Sequence, residues 1–362
     1  MTDRAQRGTS VSGSADRAQR GTSVSDVTVP SGGAADLLSW RAPVPDDADA
    51  WAALLAVVEA ADHVGEIADA EELAAEFGLE WADPRRDARF GWAPDRTLAA
   101  FGWAQCDPGA RGDLRVLLWG EVAPAWRRRG VGTALFEWLE PQGAATARLV
   151  DPARPAGLEV WVDAANEERT AFARARGYQP LRSFVTMTRV LAGEDGLPAV
   201  GTPPDGMEGV PWTPGLDDAV RLAHTEAFAD HWGSPVLGPT DWRLRISGAP
   251  SFRPAWSRVV VDGGEVAAYQ LAHEWPAEAA LKGWTEAWIG QLGTRRAWRG
   301  RGLATLLMAD ALRSFAAAGR DRAALDVDTA NPTGALGLYE RLGFTTWRTM
   351  VAHARAVPTT PV

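Results

Sequence analysis

One order of elements occurs twice in this chain, and that repetition limits its possible folds more than any other feature. RRRGVG at Arg127–Gly132 is answered by RGRGLA at Arg299–Ala304, and VDAAN at Val162–Asn166 by VDTAN at Val327–Asn331. The paired arginines Arg127 and Arg299 stand 172 residues apart, and the paired asparagines 165. Such spacings suit one unit used twice with small insertions. In the first half, apolar periodicity predicts helices over 48–62 and 70–81 and strands over 97–106 and 114–122. A helix over 131–140 stopped by Pro141, a strand over 158–162 and a helix over 167–176 complete it. The second half reads as a helix over 217–230, strands over 258–261 and 265–273, and a strand over 285–292. A helix over 301–318, a strand over 323–327, a helix over 333–342 and a terminal strand follow.

The stretch Ala192–Gly209, rich in Gly, Pro and acid, reads as a linker between domains spanning 37–191 and 210–357. Ahead of both, Asp3–Ser12 (DRAQRGTSVS) recurs unchanged as Asp16–Ser25. These copies hold almost nothing to bury, so residues 1–36 are expected to be a disordered tail.

Composition then removes several classes of function. No run of 18 uncharged apolar residues exists, which excludes a transmembrane helix. No apolar signal region opens the chain, so a cytoplasmic location is expected. A single cysteine, Cys106, and five histidines without ligand spacing make a metal site unexpected. Thirty-seven basic against 47 acidic residues give a net charge of −10, which argues against nucleic acid and favours cationic partners such as amines. The lone lysine, Lys282, precedes Gly283 and Trp284, so there is no Walker P-loop.

A strand leading through Arg-x-x-Gly-x-Gly/Ala into a helix has a definite physical use. The helix start offers unpaired N–H groups and a positive dipole end, and the glycines let an anionic group come close. A diphosphate cradle is therefore expected at Arg299, Gly300, Arg301, Gly302, Leu303, Ala304 and Thr305. The matching cradle of the first half is Arg127, Arg128, Arg129, Gly130, Val131, Gly132 and Thr133, with Val122 ending the strand before it. Neither run has the third glycine of a dinucleotide fingerprint.

The segments WRGRGLATLLMADAL (298–312) and DVDTANPTGALGLYERLGF (326–344) resemble the GCN5-related N-acetyltransferase (GNAT) family. The resemblance runs in tandem from Leu38 to Ala356, is more specific in the second half, and is similar to the arrangement of mycothiol synthases and related actinobacterial acetyltransferases. It implies an α/β (α+β) chain of two tandem GNAT folds, each with a mixed, mostly antiparallel sheet flanked by helices. It also implies acetyl-CoA as the acyl donor and a primary amine of a small molecule or peptide as acceptor. On that pattern the backbone of Leu292, Gly293 and Thr294 would serve the pantetheine and the thioester carbonyl, with Asn331 beside the pantetheine. Tyr339 would protonate the departing sulfur.

Glu286 matches the family's base less closely, lying two residues upstream of the usual place but on the same strand face. Asp328, His231, His273 and a water chain are the alternatives. In the first half Ala173 stands where Tyr339 stands in the second, and the neighbouring Phe172 has no hydroxyl. That half is expected to be degenerate, binding acetyl-CoA or only bracing its partner, although Glu121 could be a base of its own. Two other readings stay open: a mycothiol synthase acting on a cysteinyl amine, and a non-catalytic acetyl-CoA sensor.

Overall fold

The computed structural model describes residues 32–63, 65–191, 196–331 and 334–358; the duplicated block lies outside them, but the end of the tail expected to be disordered is ordered, Gly33–Leu37 forming a short helix that buries Ala35. The first half begins with strand β1 (Ser39–Arg41), then helices α1 (Ala48–Asp62), α2 (Ala70–Glu76) and α3 (Pro84–Asp87). Strands β2 (Ala88–Trp92), β3 (Leu98–Cys106) and β4 (Leu114–Val122) lead to helix α4 (Val131–Val150). Strand β5 (Ala156–Asp163), helix α5 (Glu167–Ala175) and strand β6 (Gln179–Val190) end it. The second half runs β7 (Met207–Pro211), α6 (Asp217–Ala227), α7 (Pro239–Trp242), β8 (Arg258–Asp262) and β9 (Glu265–His273). It continues through α8 (Ala279–Lys282), β10 (Glu286–Thr294), α9 (Leu303–Ala317), β11 (Arg322–Asp328), α10 (Ala335–Arg341) and β12 (Thr345–Ala356).

The α/β class and the mostly antiparallel sheet are as the sequence implies, but the two halves share one sheet. Its order is β1-β2-β3-β4-β5-β12-β6-β11-β10-β9-β8-β7. The last strand, β12, lies antiparallel between β5 and β6 of the first half. In return β6 pairs along its length with β11 of the second, Arg189↔Ala323 to Phe184↔Asp328. The boundaries 37–191 and 210–357 therefore mark no break in the sheet.

Two pairings are parallel, β4 with β5 and β10 with β11, and both are short. β4 pairs β5 only over Leu114–Leu117, and β10 pairs β11 only over Glu286–Trp288. Beyond those residues the strands separate, leaving a V-shaped opening in each half. Helix α9 buries Leu307, Met308, Leu312 and Phe315 against one face. On the other face α6, α7 and Ile246 pack with Leu271 and Tyr269 of β9.

Two local expectations needed correction. Pro141 does not stop its helix, because α4 continues to Val150. Gly143 faces Leu118, Leu158 and Val116 so closely that an added Cβ would meet them at 2.9–3.2 Å, and Thr146 and Ala147 are buried further on. That docking offsets the lost backbone bond at Pro141. The stretch read as linker ends in strand β7, which pairs β8.

Candidate active site

The second opening starts at a distortion. The β9–β10 register shifts between Ile289 and Gln291, a bulge centred on Gly290. A Cβ at Gly290 would lie 2.5 Å from the His273 ring, so only glycine fits beside that imidazole. A bulge adds twist and re-aims the backbone next to it. Leu292, Gly293 and Thr294 follow, held by β9 on one side and unpaired with β11 on the other. A side chain at Gly293 would overlap Tyr269, whose hydroxyl meets His224 Nδ1 at 2.7 Å.

The chain then turns through Gly300 (φ 77°) and Gly302 (φ 78°), both left-handed, into α9. Nothing among the described residues lies within 4 Å of a Cβ built on either glycine. The first N–H groups of α9 thus face open space, the arrangement that accepts an anion. Arg299 itself is occupied: its guanidinium donates to the carbonyls of Thr294 (3.2 Å) and Ala227 (3.0 Å), fixing the turn.

Tyr339 on α10 belongs to the core cluster that also holds Ile289 of β10 and Val327 of β11, the strands flanking the opening. Its ring packs edge-on to Phe344. No described residue hydrogen-bonds its hydroxyl, and burial pushes its pKa up to about 12, so the proton stays on at neutral pH. Asn331 lies at the turn after β11, its N–H donating to the Asp328 carbonyl.

The four candidate bases separate by position. Glu286 sits at the closed end of the opening, paired with Arg322 of β11. Its Oε1 accepts from Lys282 Nζ and Trp288 Nε1, both at 2.8 Å, and its Oε2 from Trp284 Nε1 at 3.3 Å. Lys282 also reaches Glu278 at 2.7 Å. Burial works against the ammonium, but hydrogen bonds to Glu278 and Glu286 outweigh it and hold Lys282 above its usual pKa. Asp328 is clamped by Arg182 at 2.6–3.0 Å. His231 lies on the loop that carries Trp232 under the Arg115 guanidinium of the first half, 3.6 Å from the ring centroid.

His273 lines a cavity at the bulge, a space of about 240 Å³ shared with Gly290 and Gln291. Its Nδ1 lies 3.2 Å from Ser251 Oγ and its Nε2 3.3 Å from Gln291 Oε1. Burial lowers its pKa to about 4, leaving the imidazole neutral at pH 7. The sequence pattern ranked His273 only as a fallback, since a lone histidine carries no motif.

The first half keeps the outline of this site and closes it. Its β3–β4 ladder is regular through the matching stretch, Ala100↔Val122 to Cys106↔Val116. Glu121 stands where Gly293 stands, and Arg169 of α5 grips it at 2.5–2.6 Å across the opening. Arg169 also reaches Asp62 at 2.7 Å, and Asp62 holds Arg127 at 2.6–2.9 Å. Arg128 adopts φ 60°, a left-handed conformation that costs a non-glycine residue, where the other half has Gly300. Its guanidinium bonds Glu168 of α5 at 2.9 Å. Over Gly130 lies Ala34, whose Cβ is 2.8 Å from where a Gly130 Cβ would stand. Ala173 is buried in the core.

The second half thus combines an open splay with a bulge and a glycine turn into a helix, with Tyr339 in the adjoining core. Residues 219–344 match the model of the acetyltransferase (GNAT) family. The mycothiol acetyltransferase of Streptomyces avermitilis is 33% identical over 231 residues, which cover 63% of this chain and 68% of that one. That of Catenulispora acidiphila is 30% identical over 228 residues, 62% and 67% of the two chains. A GCN5-related N-acetyltransferase from Sphaerobacter thermophilus superposes with a TM-score of 0.66 at 26% identity, covering 90% of this chain and 98% of that one. A tandem GNAT protein from the clavulanic acid biosynthesis pathway shares the fold, with a TM-score of 0.61 at 18% identity over 90% and 99%. The chain belongs to the GNAT acetyltransferase family and is an acetyltransferase; transfer from acetyl-CoA to nitrogen is that family's chemistry.

Proposed function

We propose that the chain transfers an acetyl group from acetyl-CoA to a primary amine of a small molecule or peptide, and that the second half alone does so. The observation that carries this reading is the contrast between the two openings. One is bulged and free above Gly300 and Gly302, with Tyr339 packed in the core cluster that holds Ile289 and Val327 of its flanking strands. The other is bridged by Arg169–Glu121 and lacks a hydroxyl at Ala173.

The second cradle fits a diphosphate, because two left-handed glycines bare the α9 N–H groups over an unfilled space. The free edge of Leu292–Thr294 fits the amides of a pantetheine arm. Bound there, acetyl-CoA would supply an acetyl group on a thioester. The chain's own residues then have three tasks. The edge of β10 orients the carbonyl, and backbone N–H groups stabilise charge developing on its oxygen. Tyr339, which keeps its proton at neutral pH, donates to the sulfur as it leaves. His273, held neutral by burial and engaged by Ser251 and Gln291, lines the space beside the bulge without charge, and the ammonium sheds its proton to a water chain before its nitrogen attacks.

Glu286 and Asp328 are structural on this reading, as their ion pairs already engage them. A narrower reading, acetylation of a cysteinyl amine, is favoured by the name of the mycothiol acetyltransferases alone. The test is a screen of primary amines for free-thiol release from acetyl-CoA, repeated with Tyr339→Phe. Turnover that survives Tyr339→Phe and vanishes with Glu121→Gln would move the reaction to the first half.

A further inference from the structure

The cavity at the Gly290 bulge is not built by the second half alone. Its lining includes Glu72, Ala75 and Glu76 of α2, which belong to the first half, facing Arg245, His273, Trp275 and Gln291. The contact is fixed by several bonds. Trp275 Nε1 donates to Glu72 Oε2 at 2.8 Å, and the Trp275 indole stacks on His273 with 15° between planes. Gln105 Nε2 holds Glu76 at 3.0 Å, and the Glu80 N–H donates to Asp241 of α7. The Ile67 N–H reaches Glu278, so the segment before α2 is tied to the second half as well.

We propose that this cavity is the acceptor pocket and that Glu72 and Glu76 select an acceptor carrying a cationic amine. The inference rests on the second half being the catalytic one. Both carboxylates are partly withdrawn from water and line the same space as the Trp275 indole. Against them stands one exposed guanidinium, Arg245, 3.9 Å from Glu76. The neutral imidazole of His273 adds no charge. The local balance is one negative charge next to the bulge. The first half thereby keeps a task after losing its own opening: it supplies the wall that reads the acceptor.

The test needs no turnover. Ala75→Cys places a thiol in the cavity wall, and the native Cys106 is buried with its pKa pushed up to about 11, so it is inert. Labelling rates are then compared for aminoethyl and sulfonatoethyl methanethiosulfonate, one cationic and one anionic. The cationic reagent should react faster by about tenfold or more, and the preference should reverse in Glu72→Gln/Glu76→Gln, which leaves Arg245 as the charge on the lining. Glu71→Gln, on the same helix but outside the lining, should leave the ratio unchanged. Equal rates for the two reagents, or a preference that survives the double substitution, would overturn the proposal. With any amine the protein acetylates, the double variant should raise the acceptor KM while acetyl-CoA affinity holds. Absence of acetylation with an intact charge preference would count against the catalytic reading and not against the pocket.

Discussion

Glu286→Gln separates a structural carboxylate from a catalytic one. The Glu286 side chain is 4% exposed and Lys282 2%, so their 2.8 Å contact is a buried ion pair. A glutamine keeps an oxygen for Lys282 and Trp288 but turns an amide N–H₂ toward the Trp284 N–H, leaving donors face to face. Breaking a buried pair by removing one partner costs about 3–5 kcal/mol. Lys282 retains Glu278 at 2.7 Å, which places the expected loss at the lower end, about 3 kcal/mol. Unfolding entropy for a chain of this length is about 0.7 kcal/mol/K, so Tm should fall by about 4 °C. Circular dichroism melts give that number, and free-thiol release well below the melt gives the rate. Turnover should stay within about threefold of the parent. An unchanged Tm with a rate loss beyond about 100-fold would refute this reasoning and make Glu286 the base.

Tyr339→Phe deletes one oxygen that no described residue hydrogen-bonds, so Tm should hold while acetyl transfer falls ~10²–10⁴-fold. Calorimetry should find one acetyl-CoA per chain, abolished by Gly302→Val, whose branched side chain would enter the open cradle in a left-handed conformation. His224 and His273 are both held near pKa 4 by burial, below the unfolded value of about 6.5. The unfolded chain therefore binds their protons first, and stability present above pH 6.5 should be lost as pH falls toward 4, by up to about 3 kcal/mol for each group. Melts over that range should show the decline, and proton uptake on unfolding at about pH 6 should shrink in His273→Asn.

The second half was legible in the sequence because its chemistry follows a motif. Gly300, Gly302 and Tyr339 sit at fixed offsets within continuous segments, and the structure sets both glycines in a left-handed turn before α9 and Tyr339 on α10. The strand exchange was not legible, since β6 and β12 read equally well as the closing strand of either half and their partners are set by pairing far along the chain. The partners of Glu286 were not legible for a related reason. Its strand face could be counted, but Lys282, itself paired with Glu278, reaches it from a short helix that gave no periodic signal. His273 and Glu72 lie 201 residues apart in the chain, and only packing joins them at one cavity.

The placement of β12 has a consequence for synthesis. A ribosome makes β5 and β6 long before it makes residues 345–356, yet in the sheet those two strands are separated by that last segment. Until residues 345–356 are translated, the nascent first half carries a one-strand gap with two unsatisfied edges, an invitation to wrong pairing. A stop codon that removed only the final strand would thus injure the earliest part of the chain as well as the latest. Selection against premature termination should be as strong near residue 350 as in the middle of the gene.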